Sequence, residues 1–587
     1  MTATTEPNDT SAARPPIALW CLIATLFTAA WEWTRNPTRL ASSLGDTDDA
    51  TRLIEVRAWM HGASWTDMTL PAFGGDHPLV SHWSRLIDVP LRALLTGFDA
   101  VLPPATAVIA LRVLWPKLVL FALLLVLARE ASRRAGTAAA GLVILLTTAS
   151  SSALLQYTIG RIDHHNVQIL SAVAGALWIA SSFRNPGAGW LAGASLGLGT
   201  AIGYEGLPLT AATLGLAGAL ALFTGRGAQG VSRAAGAYAL TLAAAFAITV
   251  APSHWREVHC DALSGNLVLL TAIVSPALVL VLTRLVAAPL ALRVVTMSVA
   301  LTAALALYVT VEPACLGGPF GQVNPAVKPI WMDHVMETKS ILALFDLMPA
   351  AALSFLLHAG VALLAAALTW RARRDDESLL TLAVLTVAAL LSVLQLKLIS
   401  YASVLALVPI AIWIAGLQAT PSVSAPLVRA IAFLLLNQTT LFALSNVLSH
   451  KPTDKKLSSG LAAVAKCTST TSVSALSTLP DGLAVVDLTL GPYVAALTPL
   501  RVLAAPYHRI DAQILQTDHI FRGPPEKARA RLVEEHADYV ILCDGVVADD
   551  TPADSLRVAL TRGDAPDYLE PLTLPTDTPL KVWRVKP

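Results

Sequence analysis

Long apolar runs separated by short polar segments fill most of the first 446 residues of the chain. A helix that crosses a bilayer needs about 20 predominantly apolar residues. The runs therefore predict a polytopic α-helical membrane protein with about thirteen transmembrane helices. Their predicted bounds are 17–34, 106–128, 136–154, 166–182, 188–204, 207–224, 234–252, 267–283, 294–311, 347–369, 378–394, 398–416 and 427–446.

The basic residues are distributed unevenly between the loops of this predicted bundle. One set of loops holds Arg129, Arg133, Arg134, Arg184, Arg226, Arg233, Arg284, Arg293, Arg371, Arg373, Arg374 and Arg429, whereas the opposite short loops hold little beyond Arg161, Arg256 and Lys397. Cytoplasmic loops carry the excess of Lys and Arg. We therefore expect segment 1–16 to be a cytoplasmic tail, followed by a retained first helix because no small-residue cleavage site follows it.

With an odd number of helices, the C-terminus lies on the opposite side from the N-terminus. Three large segments are then predicted outside the cytoplasm, at 35–105, 312–346 and 447–587. This arrangement predicts a multi-pass protein of the bacterial inner membrane, with a transmembrane domain at 17–446 whose working face is periplasmic.

The final segment, 447–587, has a different pattern from the bundle. Short runs typical of strands lie at 484–488, 501–505, 539–543 and 580–585, and a helical stretch lies at 525–536. Alternation of such elements is typical of an α/β domain. The segment is therefore predicted to be a small periplasmic α/β domain with its own core.

The composition agrees with the pattern and excludes several classes of protein. The chain has 587 residues, of which 55% are hydrophobic and 14% charged, and its mean hydropathy is +0.61. A soluble globular chain carries about 25% charged residues, so a large soluble enzyme and a disordered protein are both excluded. The net charge of +1 and the lack of a basic run argue against a nucleic-acid partner.

Four of the five cysteines are predicted on the periplasmic side, and Cys21 lies in the first helix. Such cysteines pair in an oxidising compartment when their Cα atoms come within about 7 Å. The sequence is compatible both with two disulfides and with four separate free thiols. The four cysteines are Cys260, Cys315, Cys467 and Cys543.

Candidate chemistry lies in acidic motifs at the predicted periplasmic ends of helices. Asp163 and His165, two positions apart, can present an oxygen and a nitrogen to one divalent cation, with Mg²⁺ or Mn²⁺ favoured. A solvated loop with a capping aspartate explains the same residues. Asp48 and Asp49 also fit the N-terminus of an amphipathic helix, and Glu337 alone fits a solvated loop.

Other charged and aromatic residues on the same predicted side are candidates for ligand binding. Lys397, between two apolar runs, either extends to the membrane interface or meets an anion. The remaining candidates could hold a sugar, a phosphate or an acceptor, or could be interfacial and strand-ending residues. These are His82, Trp83, Arg85, Arg161, His334, Tyr507, His508 and Arg509.

The order of these motifs resembles the catalytic subunit of oligosaccharyltransferase of the PglB and AglB type, a GT-C glycosyltransferase that uses a lipid-linked donor. The resemblance covers the topology of 17–446 and four short motifs in the family's order. The fourth motif has Lys397 where the family has an arginine. The matching motifs are Thr47-Asp48-Asp49-Ala50, Gly160-Arg161-Ile162-Asp163-His164-His165, Val335-Met336-Glu337 and Leu396-Lys397-Leu398-Ile399-Ser400-Tyr401-Ala402.

The resemblance implies roles for these residues. Asp49, Asp163 and His165 would hold a divalent metal, Mn²⁺ or Mg²⁺. Lys397, with Arg85 and Arg161, would bind the phosphate of a polyprenyl-phosphate or pyrophosphate donor. Asp49 or Asp48 would act on the acceptor, and Glu337 would close the long loop over the substrates.

One family motif is missing, which leaves the acceptor open. The Trp-Trp-Asp-Tyr-Gly signature that recognises the acceptor peptide does not occur, and Leu490-Gly491-Pro492-Tyr493 stands in the C-terminal domain instead. The acceptor could be a protein, a glycan or a lipid. We expect a monomer whose partners are membrane lipids, the lipid-linked donor and a periplasmic acceptor.

Two other functions remain from the sequence. One is a transferase that takes a single sugar from polyprenyl phosphate to modify lipid A or a polysaccharide. The other is a transporter or flippase. Transporters place ionisable groups and broken helices near the membrane midplane, whereas the acidic motifs here lie at one face, so transport is the less favoured alternative.

Overall fold

The computed structural model describes residues 16–419, 424–449, 455–544 and 551–586. The predicted cytoplasmic tail therefore lies outside the described residues, except for Pro16. The described chain is mostly helical. The helices of its first part are α1 (Ile17–Arg35), α2 (Arg39–Ser42), α3 (Thr47–Met60), α4 (Arg85–Asp99), α5 (Pro104–Thr148), α6 (Ser151–Leu154), α7 (His165–Ser181), α8 (Ala188–Ile202), α9 (Leu207–Thr224), α10 (Ala228–Thr249), α11 (Gly265–Thr283), α12 (Leu290–Val311), α13 (Ile341–Leu347), α14 (Pro349–Arg373), α15 (Asp376–Leu394), α16 (Ile399–Ala415), α17 (Ala425–Leu436) and α18 (Gln438–Ser449).

Within the described residues, nine helices are long and apolar enough to cross a membrane, or ten if the bent pair α17 and α18 is one span. The prediction of a polytopic helical membrane protein is thus confirmed, whereas the count of thirteen is not. Two predicted spans, 106–128 and most of 136–154, lie in α5, whose backbone leaves the helical region at Ala135 and Gly136, so α5 consists of two helices separated by a kink. Helices α7 and α8 have 17 and 15 residues, or about 26 and 22 Å, and are short for a bilayer.

The bundle has a buried centre and an exposed edge. The span Leu396–Ala415, which contains α16, is 89% buried and packs against α5, α14 and α15. By contrast, only 6% of the span Leu290–Val311 is buried. An apolar helix that buries so little of itself in the protein is suited to contact with lipid, because hydrocarbon solvates its side chains.

The last part of the chain forms a mixed five-stranded sheet with helices around it. Strands β3 (Leu483–Val486), β4 (Arg501–Val502) and β5 (Tyr539–Cys543) are parallel, and β7 (Leu580–Val585) pairs antiparallel with both β5 and β6 (Leu569–Leu572). The spatial order is β4-β3-β5-β7-β6. Strands β1 (Thr69–Leu70) and β2 (Leu79–Val80) form a separate hairpin in the first outer loop. The helices here are α19 (Lys455–Cys467), α20 (Thr470–Ser474), α21 (Gly491–Leu497), α22 (Asp511–Arg522), α23 (Pro525–Glu534) and α24 (Leu556–Arg562).

Two disulfides fix segments on the same side of the bundle. Cys260 bonds Cys315, with Cα atoms 5.0 Å apart, and joins the segment after α10 to the loop after α12. Cys467 bonds Cys543, with Cα atoms 5.8 Å apart, inside the C-terminal domain. Cys21 is a buried free thiol in α1.

The C-terminal domain is attached directly to the first outer loop. The Val502 N–H donates to the Ala72 carbonyl, and the Val502 carbonyl accepts from the Gly74 N–H, both at 2.9 Å. The hydroxyl of Tyr493 donates to the Gly45 carbonyl at 2.9 Å. These bonds place the domain over the start of α3, at the end of the bundle that we call the domain-bearing face.

Candidate active site at the domain-bearing face

The start of α3 fixes one wall of the site. Asp46 is the N-cap and forms a capping box with Asp49, which satisfies backbone N–H groups that would otherwise lack a partner. Gly45 has φ of +98°, and a Cβ there would lie 2.5 Å from an Asp49 carboxylate oxygen. Asp49 also accepts N–H bonds from Ile162 at 2.7 Å and Asp163 at 3.1 Å. It therefore ties α3 to the second acidic loop.

Asp48 faces the same loop without these backbone bonds. Its side chain lies 3.4 Å from the hydroxyl of Tyr507. Burial, together with the carboxylates of Asp163 and Glu337, raises the pKa of Asp48 to about 7. Of the two adjacent aspartates, Asp48 is thus the one with oxygens left to meet a ligand.

Asp163 and His165 come together as the sequence predicts. The Oδ2 atom of Asp163 lies 3.1 Å from Nε2 of His165, yet both atoms are buried and lack a hydrogen-bond partner within the described residues. The Nδ1 atom of His165 is 3.3 Å from the side-chain oxygen of Gln168, which leaves Nε2 directed at Asp163. Two ligands of one ion, each about 2.1 Å from it, lie about this far apart. The pair fits a divalent cation, and a cation would satisfy both orphaned atoms.

Lys397 supplies positive charge on the opposite wall. It stands in a 3₁₀ turn, Leu396–Leu398, directly before α16. Its ammonium group lies 3.3 Å from Glu205 and 3.4 Å from Glu337. The lysine is therefore turned into the protein toward acids and does not extend toward the membrane interface. Glu337 is still 45% exposed, as expected for a residue of a long surface loop.

His164 links the two walls of the site. Its Nε2 atom lies 3.2 Å from Glu205, and its Nδ1 atom pairs with Asp163. Burial alone would lower the pKa of His164, but the carboxylates of Asp163 and Glu205 raise it to about 9. Burial would likewise raise the pKa of Glu205, but Lys397 and His164 hold it well below its usual value.

The two arginines expected at a donor phosphate differ in position. Arg161 lies in the site, 3.2 Å from Asp49 and 3.7 Å from Asp163. Arg85 is 2% exposed, and its guanidinium pairs with Asp88 at 3.0 Å and donates to backbone carbonyls of the same loop. The N–H groups of the Arg85 guanidinium therefore face partners within the protein and are not directed at a bound phosphate.

The candidate acceptor contacts fall into three places. Trp83 is buried beside His164, with ring centroids 5.6 Å apart, and Tyr507 donates to Thr51 at 2.7 Å. These two residues therefore border the site, beside His164 and α3. The other residues are divided between an exposed loop position, His334, and a second cluster that contains His82, His508 and Arg509.

Several residues of the site carry no assigned role from the sequence alone. His164 and Glu205 are such residues, although a buried acid between two apolar helices is a signal for function. Arg52 is another: it is fully buried, pairs with Asp88 at 2.9 Å and lies 3.4 Å from Nδ1 of His164. Only the fold brings α3, α4 and the acidic loop together around it.

We expect Arg52→Met to lower the free energy of unfolding by about 3–5 kcal/mol, because it leaves the buried carboxylates of Glu55 and Asp88 without this partner. Unfolding of the purified protein in detergent would measure the change. Arg57→Met, on the same helix, is the control. Arg57 is only half-buried and makes one bond to a carbonyl at 3.3 Å, so its loss should cost about 1 kcal/mol or less. Equal losses in both variants would contradict this account.

The fold is similar to that of an archaeal oligosaccharyltransferase, as comparison with solved structures shows. The oligosaccharyltransferase AglB from Archaeoglobus fulgidus, in complex with an inhibitory peptide and a dolichol-phosphate, superposes with a TM-score of 0.63 at 14% sequence identity. The match covers 89% of this chain and 69% of that one. The expected resemblance to oligosaccharyltransferase is thereby confirmed at the level of the fold.

Two further structures of the Archaeoglobus fulgidus oligosaccharyltransferase give similar matches. The form tethered to an acceptor peptide containing the NVT sequon has a TM-score of 0.62 at 14% identity, over 89% of this chain and 69% of that chain. The complex with Zn and sulfate has a TM-score of 0.55 at 15% identity, over 89% and 67%. No protein-family model matches the sequence, and no curated protein matches it either.

Proposed function

We propose that the protein is a membrane glycosyltransferase that moves a sugar or oligosaccharide from a polyprenyl-phosphate or pyrophosphate carrier to a periplasmic acceptor. The observation that carries the proposal is the juxtaposition of the orphaned pair Asp163 and His165 with the half-buried cation Lys397, on a GT-C fold. Such a site offers both a cation ligand set and a group that binds phosphate.

We propose that Asp163 and His165 hold a divalent cation, Mn²⁺ or Mg²⁺; with His164 they form a group whose ligand atoms lie within 4.8 Å of one another. Asp48 lies outside that group but is preferred to Asp49 as a further carboxylate for the cation, because the Asp49 oxygens already accept backbone N–H bonds and face Arg161. When bound, the cation would supply charge stabilisation for a leaving phosphate. A Zn and sulfate complex of the archaeal enzyme supports cation binding by this fold.

Lys397 and Arg161 would bind the donor phosphate from two sides. Both side chains are held by carboxylates, Lys397 by Glu205 and Arg161 by Asp49, so their charges are fixed in position before a donor arrives. Preorganised charge of this kind is more effective than flexible charge, because little reorganisation is needed during reaction. The lysine is a point charge and would contact a phosphate less directionally than an arginine fork.

The acceptor would enter from the side of the C-terminal domain. Trp83 and Tyr507 line that side, and Tyr507 contacts both α3 and Asp48. Asp48 is placed to orient the acceptor nucleophile or take up its proton. Glu337, on the long loop and 3.4 Å from Lys397, would close that loop over the bound substrates.

The proposed setting is the bacterial inner membrane, with the site on the periplasmic face and the protein acting as a monomer. The arginine-rich loops at the other end of the bundle support this orientation. The lipid tail of the donor would lie among the apolar helices and reach the site sideways from the bilayer.

Metal removal tests the proposal. Purified protein in nanodiscs, given radiolabelled lipid-linked sugar and an acceptor extract, should transfer the label to the acceptor. EDTA should reduce the rate at least about 100-fold, and Mn²⁺ should restore it. Monophosphate and pyrophosphate donors in parallel would identify the carrier. Donor translocation across vesicles without any transfer would contradict the proposal and favour a flippase.

A further inference from the structure

A second group of metal-binding residue types lies beyond the proposed active site, where three segments of the chain meet. His82 belongs to the first outer loop, Asp261 to the segment between α10 and α11, and His508 to the C-terminal domain. One ligand atom from each of them lies within 4.8 Å of those of the other two. The proposed transfer reaction assigns no role to this cluster.

The geometry of the cluster is compact and partly shielded from solvent. The Nε2 atom of His508 lies 2.6 Å from Oδ2 of Asp261, and the rings of His82 and His508 are 4.7 Å apart. Asp261 and His508 are each 9% exposed. The side chain of His82 is half-buried, so the cluster is reached from solvent on that side.

A neighbouring arginine holds the carboxylate of the cluster in place. Arg509 donates to both Asp261 oxygens, each at 2.8 Å. The Arg509 Nε–H bond goes to Oδ2, which also faces His508, and the Nη2–H bond goes to Oδ1. Arg509 therefore fixes the carboxylate, as outer partners of metal ligands commonly do.

We propose that His82, Asp261 and His508 bind one Zn²⁺ ion. Two imidazole nitrogens and one carboxylate oxygen are a ligand set typical of zinc, with a fourth position for water. The ion would replace the hydrogen bond between His508 and Asp261 and would be bound by a ring nitrogen of His82. Because the ligands come from three segments, the ion would fasten the C-terminal domain to the membrane bundle.

The effect would reach the active site through adjacent residues. Tyr507 precedes His508 and contacts Thr47 and Thr51 on α3, and Trp83 follows His82 and packs on His164. Zinc would thus hold the two aromatic residues that line the acceptor side. The proposal rests on the ligand geometry alone and does not depend on the transfer reaction.

Zinc titration of the full chain tests the proposal. We would use the Asp163→Asn protein in detergent, so that the proposed catalytic cation site is already impaired. Calorimetry should show one Zn²⁺ bound per chain and a higher midpoint of thermal unfolding. Adding His82→Asn should weaken zinc binding more than about 100-fold, since a direct ligand is lost, and should remove the thermal shift.

Matched variants make the result decisive. His61→Asn changes an exposed histidine of the same loop and should leave zinc binding unchanged. His508→Asn replaces His82→Asn if the latter does not fold. Failure of the Asp163→Asn protein to bind zinc, or equal affinity in the His82→Asn and His61→Asn proteins, would overturn the proposal. Normal sugar transfer by the parent chain would still stand in that case, so the two proposals fail separately.

Discussion

Asp163→Asn is expected to reduce sugar transfer at least about 100-fold in kcat, because it removes a charge that the site needs to hold a cation at the leaving phosphate. The carboxylate of Asp163 also contacts both neighbouring histidines and faces Arg161. An asparagine keeps the size of the side chain but not its charge. The measurement is the initial rate of label transfer at saturating donor, over a range of Mn²⁺ concentrations.

Asp333→Asn is the control for this change. Asp333 is an exposed acid in the same loop as Glu337, so its substitution should leave the rate within about twofold of the parent protein. Full activity in Asp163→Asn, at every Mn²⁺ concentration, would eliminate the proposed cation site. A matching loss in Asp333→Asn would show that the effect reflects the general acidity of this face.

Lys397→Met is expected to lower kcat/KM about 10- to 100-fold, because a hydrogen bond to a charged group contributes about 1.5–3 kcal/mol. Lys397→Arg should retain most of the activity, since an arginine keeps the positive charge between Glu205 and Glu337. The measurement is the rate at limiting donor concentration. The thermal unfolding midpoint of each variant checks that the two acids have not destabilised the fold.

Lys328→Met is the matched control, because Lys328 is an exposed lysine on the loop after α12. Its substitution should change neither the rate nor the stability measurably. If Lys397→Met and Lys397→Arg were equally inactive, the geometry around Glu205 would matter more than the charge. If Lys397→Met were fully active, Lys397 would not bind the donor phosphate.

The sequence predicts that the side chains of Asp163 and His165 lie close together, because the two residues are close in the chain. Asp163 and His165 are two positions apart, so a single turn brings them together whatever the rest of the fold does. Lys397 is less determined: from the sequence it either extends to the membrane interface or meets an anion, and the fold places Glu205 and Glu337 beside it. The membrane bundle itself follows from the length of the apolar runs.

The resemblance assigns Asp49 to the metal, with Asp48 as a near rival, but the backbone contacts of Asp49 favour Asp48. That choice depends on the capping box of α3 and on N–H groups of a loop more than a hundred residues away. The surroundings of Arg85 are hidden from the sequence for a related reason, since two of its three partners are backbone carbonyls. Contacts with the backbone cannot be predicted from residue types, because nearly all residues carry the same N–H and carbonyl groups.

The second cluster could not be predicted from the sequence either, because its residues come from distant segments of the chain. His82 and His508 are predicted as acceptor contacts, but Asp261 lies between α10 and α11, in a segment without a recognisable motif. Its position next to His508 follows from the docking of the C-terminal domain on the first outer loop. The number of spans is a further case, because a kink at Gly136 and two short helices are tertiary features.

The central claim is that the domain-bearing face binds the phosphate of a lipid carrier beside a divalent cation. A cryo-EM map of the protein with undecaprenyl phosphate and Mn²⁺ tests it most directly. The account predicts phosphate density within about 3 Å of the Lys397 ammonium, and a cation peak joined to Asp163 and His165. Headgroup density at the other end of the bundle, beside Arg133 and Glu377, would contradict it.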